Sequence, residues 1–408
     1  MATKLTCHRR GSRRSSRERN AGERHPSQRQ VLAAGQSEQP CRVEAAGRPL
    51  FPPRVALVIP TYNEAEYIAS TLTALLDGAE GYGHDQIEIL VVDGGSTDGT
   101  PDIVRRLTRR WPSIRSMRLL HNPQRLQAVA CNLALRASRG AELLMRCDAH
   151  AYYPSGFIAR AVHLLDQHGA DGVVYSDRPL AGNGARNAFQ HGVGFAQNNR
   201  LGVGQSHYRL GTFSGWVEHG KHGCFRRDLL LAAGGYDEAF AVNEDSELSY
   251  RLVQRGARLW LDQELWVGYV PRSRPGALAR QYFLYGQGRV QNLRKHARHP
   301  TPRQWAPAAL VLGQFAALGA AHWRPETLLL PGLYTAALGG IASAGAYRRQ
   351  RWALLWSAPA MAIMHFAFGA GFLARFVRPG NGASAPALMP APAGAITASA
   401  ANLDERAA

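Results

Sequence analysis

Short apolar runs that end on polar residues, each followed by a segment of helical spacing, set the pattern of the chain from Arg54 onward. In Arg54-Val-Ala-Leu-Val-Ile-Pro60 a β-branched and aliphatic run is stopped by proline, which predicts a central strand. Ile68, Leu72, Leu75 and Leu76 then carry helical spacing. Gln86–Val92 repeats the strand and ends in Asp93-Gly-Gly-Ser-Thr-Asp-Gly-Thr100. Pro101 opens a second helix through about Arg110, with Asp98 or Thr100 as N-cap. Ser116–Leu120 is a third strand, Gln127–Ser138 a third helix, and Glu142–Met145 a fourth strand that stops at Arg146, Asp148 and His150. This alternation predicts an α/β fold with a mostly parallel, doubly wound sheet.

The same pattern predicts a helix from Pro154 to about His168, a strand at Gly172–Tyr175, a short helix from Asp228, a helix from Asp245 onward and a last strand at Leu259–Asp262. Residues 179–222 are richer in Gly, Asn, Gln and His and predict a longer functional excursion. After Pro271 the character changes. Leu278–Arg298 sets Tyr282, Phe283 and Tyr285 beside Arg280, Arg289, Arg294 and Lys295, which suits a helix at a membrane interface. Apolar stretches follow at Ala306–Ala321, Thr327–Ala346 and Trp352–Ala374. The second and third reach the roughly 20 residues a bilayer needs, and the first is shorter and holds Gln314. The expected organisation is a basic tail (1–50), a catalytic α/β domain (51–272), an interfacial amphipathic region (273–304), two or three membrane helices (305–378) and an Ala/Pro-rich tail (379–408).

Charge changes the picture in one respect. The 408-residue chain carries a formal charge of +18, which suggests a polyanionic partner: nucleic acid, an anionic membrane surface or a phosphorylated substrate. Much of it lies in the Arg/Ser-rich first 30 residues, which lack hydrophobic period and are expected to be disordered. The five cysteines show no paired spacing, which argues against a zinc site or a disulfide framework and fits a reducing compartment. No apolar segment follows the basic start, so no signal peptide is expected. Basic residues before the first apolar stretch (Arg294, Lys295, Arg298, Arg303) and between the second and third (Arg348, Arg349, Arg351) favour the cytoplasmic side. Arg375 and Arg378 would break that rule if the third stretch crosses.

Four places carry candidate chemistry. Asp148 and His150 stand two residues apart at a strand end, so their side chains leave an extended segment on one side and suit Mg²⁺ or Mn²⁺; the alternative is a turn cap. The loop after Asp93 lets backbone N–H groups approach an anion, although such clusters are also ordinary turns, and no Walker lysine follows. Ser214-Gly-Trp-Val-Glu-His-Gly-Lys-His222 is dense in groups able to bind a polyol or phosphate, with Trp216 offering a ring for a sugar to stack on; the alternative is a solvated loop. Asn243, Glu244 and Asp245 gather at a helix start, where the dipole stabilises carboxylates and a general base can sit; N-cap and first-turn acids explain the same residues.

Taken together, Ile59-Pro-Thr-Tyr-Asn-Glu64, Val92-Asp-Gly-Gly-Ser-Thr-Asp-Gly-Thr100, Asp148-Ala-His150 and Asn243-Glu-Asp245 resemble, in this order, the inverting family 2 glycosyltransferases of the GT-A fold. Arg146–Ala151, Ser214–Gly220 and Gly234-Gly-Tyr-Asp237 are similar to its succinoglycan-biosynthesis branch, and the resemblance spans about residues 54–300. It implies a nucleotide-sugar pocket at Pro60, Thr61, Tyr62, Glu64, Asp93, Arg125 and Asp148, with Asp93 on uracil. It implies a divalent metal (Mg²⁺ or Mn²⁺) at Asp148 and His150, a base at Asp245 beside Glu244, and sugar contacts at Trp216, Glu218, His219 and Arg289. The implied enzyme is membrane-attached and moves a sugar from a UDP-hexose to a polyprenyl-linked saccharide in exopolysaccharide synthesis. Its expected place is the cell inner membrane, with the catalytic domain in the cytoplasm and no nucleic-acid partner. Two departures stand out: Gly94 replaces a second Asp, and His150 replaces the usual second metal-motif Asp. A Gln-x-x-Arg-Trp motif is only echoed by Arg280–Arg289, without its Trp, which favours single addition over processive polymerisation. A basic nucleic-acid-binding protein, suggested by charge alone, and a catalytically silent homologue are the alternatives.

Overall fold

The computed structural model describes residues 54–378 other than 80, 81, 112, 113, 115, 181–186 and 205. The expectations for residues 1–50 and 379–408 therefore lie outside the described residues, as do Cys7 and Cys41.

Strand and helix alternate through β1 (Val55–Thr61), α1 (Ile68–Asp77), β2 (Ile87–Asp93), α2 (Thr100–Thr108), β3 (Ser116–His121), α3 (Gln127–Ala137) and β4 (Leu143–Arg146). β1 pairs in parallel with β2 and β4, and β2 with β3. The continuous apolar runs exist because both faces of these strands are covered. Val55, Leu57 and Ile59 point into a core shared with Ile68 and Leu72 of α1. The alternate positions Ala56 and Val58 pack with Ala130 and Ala134 of α3.

The chain continues through β5 (Ala151–Tyr152), α4 (Phe157–His168), β6 (Gly172–Pro179), α5 (Ala188–Gln197), α6 (Arg200–Val203), α7 (His207–Leu210), β7 (Gly215–Val217), β8 (Gly223–Arg226), α8 (Arg227–Ala232), α9 (Glu244–Gln254) and β9 (Leu259–Tyr269). The sheet order is β3-β2-β1-β4-β8-β6-β9-β5, with β7 beside β9. Parallel pairing holds from β3 to β4 and returns between β6 and β9, whereas β8 lies antiparallel to both β4 and β6. β5 and β7 run antiparallel to β9. The 179–222 excursion returns to the sheet at the edge where β4 and β6 end, so β8 enters reversed instead of through a helical crossover. That reversal keeps β4 and β6 in one direction and brings the ends of both to one edge. β6 and β9 also run longer than their apolar cores predict, to Pro179 and Tyr269.

α10 (Pro275–Lys295), α11 (Pro302–Ala320), α12 (Leu329–Arg348) and α13 (Ser357–Val377) form the C-terminal region. A Cβ on Gly286 of α10 would meet Phe368 O at 2.2 Å, and one on Gly371 of α13 would meet Phe283 O at 2.0 Å. The two backbones thus touch, as small residues permit. α10 also buries Leu278 and Tyr282 with Met361 and Met364 of α13 and Phe189 of α5. α10 thus turns its apolar side to α13 and α5. Pro325–Arg348 and Trp352–Val377 are long and apolar enough to cross a membrane. The large exposed apolar side chains, apart from Leu201, Trp216 and Leu231, lie between Leu312 and Val377. Apolar surface of this extent, gathered on one helical region, associates with a membrane.

Candidate functional site

The site is built at the common edge where β1, β2, β4 and β6 end. At its first end, the Asp93 carboxylate closes β2 by accepting from Gly95 N–H and Ser96 N–H at 2.9 Å each, from Ser96 Oγ at 2.5 Å and from Thr61 Oγ1 at 3.3 Å. Gly95 turns at φ +78, a conformation glycine adopts without strain. Asn63 N–H donates to Ser96 Oγ, and Thr97 N–H donates back to Asn63 Oδ1. The two loops, Thr61–Glu64 and Asp93–Thr100, are thereby one unit. Pro60 sits opposite Val92 at the base of this unit. Arg125 crosses above it, donating through Nε to Gly94 O at 2.9 Å and through Nη1 to Tyr62 Oη at 3.2 Å, with its guanidinium 4.9 Å from the Tyr62 ring centre. The structure brings Pro60, Thr61, Tyr62, Asp93 and Arg125 together. It also gives the Asp93 carboxylate a full set of protein donors, so its first task is shaping the loop.

Four residues further along this edge lie Glu64, His150, Asp148 and Arg146. His150 Nδ1 is 2.9 Å from Glu64 Oε1. Burial opposes a charged imidazole there, and the Glu64 carboxylate outweighs it, raising His150 above its ordinary value. The ring therefore pairs with Glu64 through Nδ1 and not directly with Asp148. Asp148 Oδ1 is buried and accepts no hydrogen bond among the described residues, and the same holds for Glu64 Oε2. Burial alone would raise the Asp148 carboxyl, but His222, Arg146 and Lys221 outweigh it and hold it well below the usual carboxylate range. Burial keeps His222 neutral, so Arg146 and Lys221 supply the standing positive charge.

Arg146 is the link the sequence does not reveal. Only 3% exposed, it donates to Glu244 Oε1 at 2.8 Å and to Gln127 Oε1 at 2.8 Å, and its Nη2 stands 3.6 Å from Asp148 Oδ1. The end of β4 is thus tied to the start of α9 across 98 residues. Asn243 enters α9 at φ +63, and its Nδ2 donates to Tyr285 O of α10 at 3.2 Å. Glu244 is spent on Arg146 and is a structural partner, whereas the next residue, Asp245, is not. Burial raises the Asp245 carboxyl, the neighbouring Glu244 raises it further, and it settles at about 7. A base poised near neutrality is what proton abstraction at physiological pH requires.

The remaining expected contacts are placed differently. Trp216 pairs with Trp260, Trp260 with Val173, Val173 with Cys224 and Cys224 with Met145. Trp216 is therefore four strands from β4, roughly 19 Å at the usual strand spacing. Its ring packs edge-on to Trp260 at 5.0 Å and under Arg258 at 4.0 Å. Expected to stack on a sugar, it instead closes the far edge of the sheet. Glu218 and His219 follow on the exposed path from β7 to Gly220. Arg289, half-buried on α10, lies near enough to feel the charge of Asp245. Sequence reasoning gave no individual role to Arg146, a lone cation at the end of an apolar strand, or to Lys221, whose Nζ is 3.4 Å from Asp177 Oδ2 at the end of β6.

Comparison with known proteins agrees with this geometry. A family model described as Glycosyl transferase family 2 matches residues 56–230. The succinoglycan biosynthesis protein ExoA of Rhizobium meliloti is 38% identical over 319 residues, 78% of this chain and 93% of its own length. The chain belongs to glycosyl transferase family 2. As a family 2 member it is a glycosyltransferase that draws sugar from a nucleotide-sugar donor, associated with a membrane, in glycan biosynthesis. A Methanococcus voltae transferase named for a dolichyl-linked N-acetylglucosaminyl phosphate substrate is 24% identical, covering 59% of this chain and 74% of its own length. A mannosyltransferase from Pyrobaculum calidifontis, solved with GDP-Man and Mn²⁺, covers 79% of this chain and 89% of its own at 25% identity and a TM-score of 0.49.

Proposed function

We propose that this family 2 enzyme moves a hexose from a UDP-sugar to a polyprenyl-linked saccharide, with inversion, and that Asp245 is the general base. The observation that carries this reading is the bridge made by Arg146, which joins Asp148 at the end of β4 to Glu244 at the start of α9 and so sets an ionised Asp148 at the same edge as Asp245, poised near 7. In this mechanism Thr61, Tyr62 and Arg125 hold the nucleoside. Asp245 accepts the proton of the attacking hydroxyl, which approaches from the face opposite the leaving group. Glu244, fixed by Arg146, keeps negative charge beside Asp245 and so keeps that carboxylate basic. A divalent cation, Mg²⁺ or Mn²⁺, would be held by Asp148 and Glu64, whose Oδ1 and Oε2 accept no hydrogen bond among the described residues, and would supply charge neutralisation for the departing diphosphate. His150 orients Glu64 and retains Nε2 as a further donor atom. The catalytic domain faces the cytoplasm of the inner membrane on this proposal, which the basic residues around α11–α13 support.

Membranes carrying the protein, incubated with a panel of radiolabelled nucleotide sugars and extracted for lipid, test the reading. Lipid-extractable label from one UDP-hexose, blocked by UDP and far less by GDP, is the expected result. Label that stays water-soluble, or equal blocking by both nucleotides, counts against it.

A further inference from the structure

A cavity of about 80 Å³ opens from Asp148 toward α10. About one water-sized position needs 10–15 Å³, so several waters, or one phosphate group, fit. Asp148 and His150 line it on the sheet side and Tyr285 and Gln281 on α10, the helix whose Gly286 lies against the apolar α13. Between them stand Arg209 of α7 and Lys221. Arg209 is 8% exposed, yet its guanidinium makes no hydrogen bond or ion pair among the described residues. The nearby acid, Asp177, is already taken by Lys221 at 3.4 Å. Tyr285 Oη accepts from Gln281 Nε2 at 3.0 Å, which leaves its own hydrogen to donate. The Arg209 guanidinium lies 5.5 Å from the centre of the Tyr208 ring, and a largely buried guanidinium with no hydrogen-bond acceptor is costly unless an anion completes it. Its planar fork matches a phosphate group.

We infer that Arg209, Lys221 and Tyr285 form a phosphate subsite separate from the nucleoside cradle at Thr61, Tyr62 and Arg125, occupied by a phosphate of the lipid-linked acceptor. This source rests on the lipid-linked reading above. It is favoured because the α10 wall adjoins the apolar helices, where the phosphate of a membrane-held lipid would arrive. The donor's diphosphate has the same chemistry and is the alternative source.

The test uses the full chain in detergent. Inorganic pyrophosphate binding is measured by calorimetry for the wild type, Arg209→Gln, Arg209→Lys and Tyr285→Phe. The expected loss is about tenfold or more for Arg209→Gln and about threefold for Tyr285→Phe, with Arg209→Lys between them. Because Arg209 bonds no protein group, Arg209→Gln is expected to keep or raise the melting temperature, which a structural role would lower. Unchanged pyrophosphate affinity in Arg209→Gln and Tyr285→Phe overturns the subsite, and this result does not depend on the sugar acceptor. Kinetics then assign the source. An acceptor KM raised about tenfold with donor affinity held within twofold supports the acceptor phosphate. A loss confined to nucleoside diphosphate affinity, with nucleoside monophosphate unchanged, keeps the subsite but overturns its assignment to the acceptor.

Discussion

Two carboxylates at the same edge of one sheet differ in state. At the end of β4, Asp148 is held ionised by Arg146 and Lys221. At the start of α9, Asp245 is held near 7 by burial and by Glu244. The same arginine touches both regions, and the difference lies in where its charge is spent. Arg146 forms a close pair with Glu244 and only a longer contact with Asp148, while Asp245 receives what is left over. Neighbouring acids pushed apart in this way take different roles in a reaction: the ionised one binds positive charge, and the poised one moves a proton.

The largest effect expected is that of Asp148→Ala. Removing the carboxylate that would hold the charge-neutralising cation costs about a thousandfold or more in transfer, together with affinity for the nucleoside diphosphate. Asp245→Asn should cost about 10²–10⁴-fold in kcat while nucleotide affinity stays nearly intact. Transfer and nucleotide titrations on both variants check the contrast. Parallel loss of nucleotide affinity in Asp245→Asn would erase the distinction between the two acids.

Arg146→Met breaks the link itself. It leaves Glu244 as a buried carboxylate without its cation and Asp148 with Lys221 alone, at about 3–5 kcal/mol. Adding Glu244→Gln should recover part of that loss, since one stranded charge is removed. Thermal unfolding of the single and double variants measures the coupling, and additive effects would show that the pair is not the bridge.

The pH dependence sharpens the comparison further. If Asp245 is the base, as proposed, transfer should fall about tenfold per unit as pH drops below about 7, because only its deprotonated form can accept the proton. Its effect on stability has the opposite sense. A carboxyl whose folded value is raised from 3.8 to about 7 favours folding fully below 3.8 and loses that contribution as pH rises toward 7. Asp245→Asn should therefore gain stability relative to the wild type between about pH 4 and pH 7, reaching about 4 kcal/mol, and hold that gain above pH 7. Melting curves across that range give the answer directly.

Much of this arrangement is legible in the sequence, and for a physical reason. A strand buried on both faces must be apolar until it reaches the edge, so the polar stops at Asp93 and Asp148 mark where chemistry begins. The start of α9 shows in the same way, through the acids at Asn243-Glu-Asp245. What lies outside the sequence's reach depends on register and on long-range pairing. The reversed entry of β8 follows from the path of 179–222, which has no period to read. The bond from Arg146 to Glu244 joins residues that no local pattern connects. α10 has the aromatic and basic composition of an interfacial helix, but composition does not distinguish lipid from the apolar flank of α13 as the surface it covers.

The smallest effect expected is at Trp216, and it marks where the comparison of the two acids stops. Local composition makes this indole a candidate for sugar stacking. Register places it four strands from β4, packed on Trp260 and beneath Arg258. Trp216→Ala should leave kcat and both KM values within about twofold, because it touches neither acid nor the cavity between Asp148 and α10. It should instead cost about 1–2 kcal/mol of stability, from an aromatic pair worth about 0.5–1.5 and an exposed cation–π contact worth about 0.5–1. Steady-state kinetics and a denaturant titration on one preparation separate the two outcomes. A large rise in acceptor KM with unchanged stability would mean that the acceptor saccharide reaches across β8, β6 and β9 to the far edge, and that the site extends well beyond the two carboxylates.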